Sequence, residues 1–191
     1  FSAPMVRAIL SGTKTQTRRV VKPRRDRDMG CELAPNELAG EVNRGNYRNS
    51  PYTPGDRLWV REAWNWCYSA EKDASGKGEN ERELIDYAAD KNNNVLGFKW
   101  RPSIHMPRWA SRITLEIVSV RVERLNEISD ADCVAEGIGL NQSSIGVPVH
   151  TTLDCGTLPR LHYRQLWESI NGPGSWAANP WVWVVEFRRL P

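Results

Sequence analysis

The run from Arg112 to Arg124 constrains the fold more than any other stretch of the chain. Its apolar residues recur at every second position, first at Ile113, Leu115 and Ile117, then at Val118, Val120 and Val122. A period of two is the mark of a strand with one buried face. The phase slips by one at residues 117–118, so the buried face changes sides there. That predicts a bulge or bend, and a long, bent strand is what a small barrel requires.

The remaining segments fit around this strand. Residues 3–11 place Met5 and Ile9, with Val6 and Ala8 beside them, on one side of a short helix. Pro4 suits its first turn and Gly12 its C-terminal end. Val20-Val21 begins a strand. From Lys22 to Ser50 the composition turns to Arg, Asp, Asn, Gly and Pro, which reads as an exposed insertion. Pro54-Gly55-Asp56 signals a turn that delivers the alternating segment Arg57–Trp64. Residues 69–97 are charged and weakly periodic, a second insertion with Leu84-Ile85-Tyr87 as a short strand or helix inside it. Ser129 N-caps a helix that stops at Gly137, with Asp132 in the position of a capping-box acid. Leu161–Ile170 reads as an amphipathic helix turning Leu161, Leu166 and Ile170 to the core. Trp181–Phe187 is the last strand. Strands do not alternate regularly with helices, which argues against a doubly wound parallel sheet. The expected class is α+β, a small mixed or antiparallel barrel with flanking helices and loop insertions, in one domain over 1–191.

A chain of 191 residues with 40% hydrophobic content can bury a real core. The net charge of +3 permits an anionic partner without demanding one. The charge is uneven, however, and from Lys14 to Arg27 Asp26 is the one acid among many cations. Nine tryptophans are enough both to fill a core and to offer stacking surfaces for bases. Cys31, Cys67, Cys133 and Cys155 form no CxxC pair, which suits a reduced, cytoplasmic chain better than a disulfide framework or a zinc site. No apolar run approaches membrane-spanning length, so no membrane partner is expected. The chain opens at Phe1 rather than Met, from which we expect a strand ahead of it to belong to the fold.

Ser11–Arg19 concentrates hydroxyls and cations as nothing else in the sequence does. Lys14 and Thr17 lie three apart. They share a face only if the chain stays coiled past Gly12; on a strand they would face opposite ways. Coiled, a desolvated Lys14 could take a proton from Thr17 or from water; otherwise the stretch is a solvated cationic turn. Glu136 and Asp132 are four apart on a helix, either solvated or turned towards the lysine. Arg19 can meet a phosphate or carbonyl, whereas Arg18 reads equally well as surface. Arg61 and Glu62 alternate, so one of them faces the interior. His105, Arg108, Trp100 and Trp109 make the strongest aromatic and basic loop, and Trp176 is a second stacking position. His105, His150 and His162 lack metal-ligand spacing, so no cofactor is expected, with a divalent cation held loosely on carboxylates as the alternative.

Four stretches together carry a resemblance: the helix followed by Gly12-x-Lys14-x-x-Thr17-x-Arg19, the turn-strand Pro54-Gly55-Asp56-x-Leu58-x-Val60, the strand 112–124 running into Leu125 and Ser129 through Glu136-Gly137, and the terminal strand 181–187. In order and spacing they resemble the ASCH domain, a branch of the PUA-like β-barrel superfamily, in its phage and prophage form. The resemblance implies a cleft that binds RNA or a modified nucleoside. It also implies an amidohydrolase that removes an acyl group from a cytidine-like nucleoside, with Lys14, Thr17 and Glu136 catalytic. Other members imply a metal-dependent ribonuclease, and a module that only binds RNA is the third alternative. Around the triad, the ligand contacts expected are Arg19, Arg61, His105, Arg108, Trp109 and Trp176. The chain departs from the minimal members through insertions near 24–50, 65–99 and 139–158.

Overall fold

The computed structural model describes residues 1–66, 85–90, 99–138 and 158–191. Along the chain these form α1 (Ala3–Leu10), β1 (Gln16–Val20), β2 (Arg24–Arg25), β3 (Glu32–Leu33), α2 (Pro35–Asn43), β4 (Arg57–Trp59), β5 (Trp64–Trp66), β6 (Ile85–Tyr87), β7 (Thr114–Arg124), α3 (Asp130–Ala135), α4 (Leu158–Asn171) and β8 (Trp181–Arg189). The class is mixed α+β, with antiparallel strand pairs and a few helices. The chain divides into two compact units, one of Phe1–Gly12, Arg57–Glu116 and Arg189–Pro191, the other of Thr13–Asp56 and Ile117–Arg188.

In the first unit α1 carries Pro4 in its first turn and stops shortly before Gly12, which takes a positive φ of 77°. That is the left-handed conformation a helix C-terminus favours and a side chain resists. Val6 and Ile9 are its buried residues. β4 pairs antiparallel with the first residues of β7, Arg57 opposite Glu116 and Trp59 opposite Thr114. β5 and β6 form a hairpin, Trp64 opposite Tyr87. Trp64, Ile85, Tyr87, Met106 and Ala110 close over one another as a core. The segment Ile85–Tyr87, read from sequence as part of an insertion, is therefore a core strand. Residues 67–84 and 91–98 of that insertion lie outside the described residues.

In the second unit β1 pairs antiparallel with β8, from Gln16 opposite Glu186 to Val20 opposite Val182. β8 lies between β1 and β7. The phase slip predicted at residues 117–118 is present but falls after Val118, which was expected to share the buried face of Val120 and Val122 and does not. Burial along β7 follows the odd positions up to Ile117 and the even positions from Val120, with Val118 exposed between them. The core joins Val182 and Val184 of β8 to Leu125, Ile128 and Cys133 around α3 and to Tyr163, Trp167 and Trp176.

Two expectations change here. Residues 24–50 are not simply an exposed insertion: β2 and β3 pair as a hairpin, and α2 buries Leu38, Ala39 and Val42. Leu38 and Val42 are four apart, a helical stripe too short to stand out against the polar residues around it. In α4 the core face is Tyr163 and Trp167 rather than Leu161 and Ile170, and Ile170 is 58% exposed. The two aromatic rings bury more area than the aliphatic residues, and they set the rotation of the helix. Residues 139–157, which hold nearly all of the third expected insertion, lie outside the described residues.

Candidate functional site

Past Gly12 the chain does not remain coiled. Lys14 forms an antiparallel bridge with Glu136, the Thr15 N–H donates to the Ala135 carbonyl at 2.8 Å, and the Phe187 N–H donates to the Thr15 carbonyl at 2.8 Å. The segment is thus extended from Lys14 into β1. Lys14, Gln16 and Arg18 are buried, while Thr15 and Arg19 are exposed and Thr17 is half-buried. In an extended chain this alternation puts Thr17 on the face opposite Lys14. The shared face expected for Lys14 and Thr17 is corrected by that geometry. Backbone hydrogen bonding to α3 on one side and β8 on the other is what straightens the segment.

Lys14 and Glu136 do meet. The Lys14 amine lies 2.7 Å from the Glu136 carboxylate. It also donates to the Glu136 carbonyl at 2.7 Å and to the Gln16 carbonyl at 2.8 Å. An ammonium has three protons, and here each faces an acceptor. Lys14 is 2% exposed and Glu136 5%. Burial pushes the amine below the ordinary lysine range; Glu136 pulls it back up, and Arg19 and Arg18 add to the lowering.

Arg18 carries the pair into a larger network. Read from sequence as equally suited to the surface, it is 3% exposed. It reaches Glu123 at 2.7 Å, Asp132 at 3.1 Å and Glu136 at 3.3 Å. Burial works against its charge, and Glu123 and Glu136 outweigh burial, so its pKa rises. Arg121 adds contacts to Glu123 at 3.0 Å, to Asp132 at 3.0 Å and to Glu186. Burial would raise the Asp132 carboxyl. The hydrogen bond from Gln16, with Arg18, Ser129 and Arg121, prevails and brings it down to about 2. The capping box expected at Ser129 and Asp132 holds α3 in place: the Asp132 N–H donates to the Ser129 hydroxyl at 3.1 Å, and the Ser129 N–H to the Asp132 carboxylate at 3.4 Å. Sequence reasoning missed Gln16, Glu123, Arg121 and Glu186. A signal was present, because polar residues alternate at 14, 16 and 18 and again at 121 and 123, which is how a strand lines a polar interior.

The other expected contacts separate. Trp176 is 8% exposed and packs edge-on against Tyr163 at 6.2 Å within the core of the second unit. It is a core residue and not a stacking surface, a correction that follows from the size of the indole. Arg19 is exposed on β1. In the first unit Glu62 turns inward, 2.9 Å from Arg112, which also binds Asp90 at 2.6 Å and lies 3.9 Å over the Tyr87 ring. Arg61 therefore turns outward. Its guanidinium lies 4.4 Å over the Trp59 ring, and that of Arg108 lies 5.7 Å from the same ring. Trp109 is 38% exposed and stands 5.8 Å from Trp66. His105 is exposed in a 3-10 turn over Ser103–His105. Among the described residues Arg61, Arg101 and Arg108 pair with no carboxylate, in contrast to Arg112. Trp59, which sequence reasoning did not single out, is the ring two of these cations share.

Among the described residues no group of three or more His, Cys, Asp or Glu side chains is placed to hold a metal ion, and no helix is long and apolar enough to cross a membrane. Comparison of the chain with family models, with curated proteins and with solved structures finds no match in any of the three.

Proposed function

We propose that the protein recognises single-stranded RNA or a modified nucleoside as a binding module, on a PUA-like barrel of the ASCH type. The observation that carries this reading is the surface of the first unit where Arg61 and Arg108 crowd the Trp59 ring while neither, among the described residues, is neutralised by a carboxylate. Exposed guanidiniums release counterions when they meet phosphates, and exposed aromatic faces stack on bases whatever their identity. Trp109 offers such a face nearby in sequence. The Lys14–Glu136 pair supports recognition rather than turnover. A 2%-exposed amine with an acceptor for each proton holds the fold together and does not reach a substrate.

The test is fluorescence anisotropy with a short single-stranded RNA across a salt series. The Arg61→Ala, Arg108→Ala double variant is expected to flatten the slope of log K against log salt by about 1.4, two contacts at roughly 0.7 each. Trp109→Ala is expected to weaken binding by about 1–3 kcal/mol if a base stacks there. Binding that ignores salt and both changes refutes the reading.

One observation favours a second reading, amide hydrolysis of an N-acylated cytidine: the lowered pKa of Lys14, which is how a lysine becomes a base. Turnover of N4-acetylcytidine by the wild type, lost in both Lys14→Ala and Thr17→Ala, would replace the first reading with the second.

A further inference from the structure

The second unit contains a cleft of about 640 Å³ between the C-terminal end of α2 and the middle of β7. Asn43, Tyr47, Ser119, Arg121, Glu123 and Glu127 are among its lining residues. Its volume falls in the range of small-molecule sites. Its polar groups divide into two sets. Arg121 and Glu123 are committed to the charge network beneath. The Asn43 amide, the Tyr47 hydroxyl and the Ser119 hydroxyl make no side-chain hydrogen bond among the described residues, and the Tyr47 ring meets no other ring or cation there. Glu127 uses one carboxylate oxygen to accept from the Arg124 N–H at 3.1 Å. The other oxygen has no partner among the described residues.

These free groups define the ligand. Amide, hydroxyl and carboxylate side chains that line one space match vicinal hydroxyl groups, each of which donates and accepts. A half-buried tyrosine ring gives an apolar face against which the C–H side of a small ring can lie. Charge then sets a limit. Arg121 is the one cation among the residues lining the cleft, and Glu123, Asp132 and Glu186 already surround it, while Glu123 and Glu127 are carboxylates of the wall. Among the described residues a phosphate would meet two like charges and no unsatisfied cation.

We propose that this cleft binds an uncharged polyhydroxylated ring, either a free monosaccharide or the ribose of an unphosphorylated nucleoside. Val42, Asn43, Gly45 and Tyr47 of its wall come from the 24–50 segment, so this chain's own insertion helps to build the site. The proposal does not rest on RNA recognition by the first unit, and the two fail separately because they involve different residues and opposite charge preferences.

The experiment follows the backbone amide signals of the full chain by NMR during titration with ribose, with cytidine and with cytidine 5′-monophosphate. Saturable shifts at Gly45, Tyr47 and Ser119 are expected with a dissociation constant on the order of millimolar. Equal affinity for ribose and cytidine assigns the site to a free sugar, and a preference for cytidine assigns it to a nucleoside. The monophosphate should bind at least about tenfold more weakly than cytidine. Tyr47→Ala and Glu127→Gln should each weaken binding by about tenfold. Tyr47→Phe, which keeps the ring, should lose only a few-fold and guards against a folding defect in the alanine variant. The proposal is overturned if neither ribose nor cytidine gives saturable shifts up to about 20 mM. It is equally overturned if the monophosphate binds as tightly as cytidine, or if the variants keep the native spectrum and the native affinity.

Discussion

Replacing Glu136 by Gln tests whether the Lys14 pair is a structural cross-link. The substitution keeps the size of the side chain and an oxygen for Lys14, so it removes charge and little else. What it leaves is two buried cations, Lys14 and Arg18, with one carboxylate fewer. At the 2.7 Å separation of the Lys14 pair, an effective dielectric of about 20 gives an attraction of about 6 kcal/mol. Much of that only offsets the cost of taking both groups out of water, and the net loss on breaking a buried pair is about 3–5 kcal/mol. The assay is urea unfolding of the wild type, Glu136→Gln, Lys14→Met and the double variant. Each single change should cost about 3–5 kcal/mol. The double variant should cost less than the sum by about 1–3 kcal/mol, because the second change removes a charge the first left unpaired. Thr17→Ala, on the opposite face, should cost less than about 1 kcal/mol. A Glu136→Gln protein within about 1 kcal/mol of wild type, or a double variant that is simply additive, would refute the reasoning.

Three further outcomes follow from named contacts. The Asp132 carboxyl sits at about 2 in the folded protein against an ordinary 3.8. Its contribution to stability is therefore complete above about pH 4 and is lost as pH falls towards 2; Asp132→Asn should flatten that limb of a pH series of unfolding midpoints. Trp176→Ala should destabilise the fold by about 3–5 kcal/mol, measured by chemical denaturation, and RNA anisotropy of the variant under folding conditions should match the wild type. Gly12→Ala meets no atom of the described residues within 4 Å but forces a side chain to φ 77°, so a loss of about 1 kcal/mol in unfolding free energy is expected from backbone strain alone.

How much of this was legible depended on which forces act locally. Ser129 and Asp132 could be read as a capping box because the donors and acceptors involved lie within four residues of each other. Gly12 could be read as a helix stop because its positive φ is a property of one residue. A slip after Ile117 was visible because a strand's period of two is rigid, although the exposure of Val118 was not. The meeting of Lys14 with Glu136 was reached through a resemblance, since 122 positions of sequence separate the two residues. The orientation of Thr17 was not legible. Whether residues 14–17 coil or extend is set by hydrogen bonds to Ala135 and Phe187, partners far away in the chain.

The sequence by itself determined the strand periods, the helix ends and the concentration of cations after α1, because sterics and local hydrogen bonds decide those within a few residues. Only the tertiary structure decided which of the cations are buried. Arg18 and Arg61 look alike in sequence. One is walled in by Glu123, Asp132 and Glu136, and the other is left facing solvent over Trp59. Burying a charge costs more than any local preference can supply, so its place depends on carboxylates that only the folded chain brings within reach.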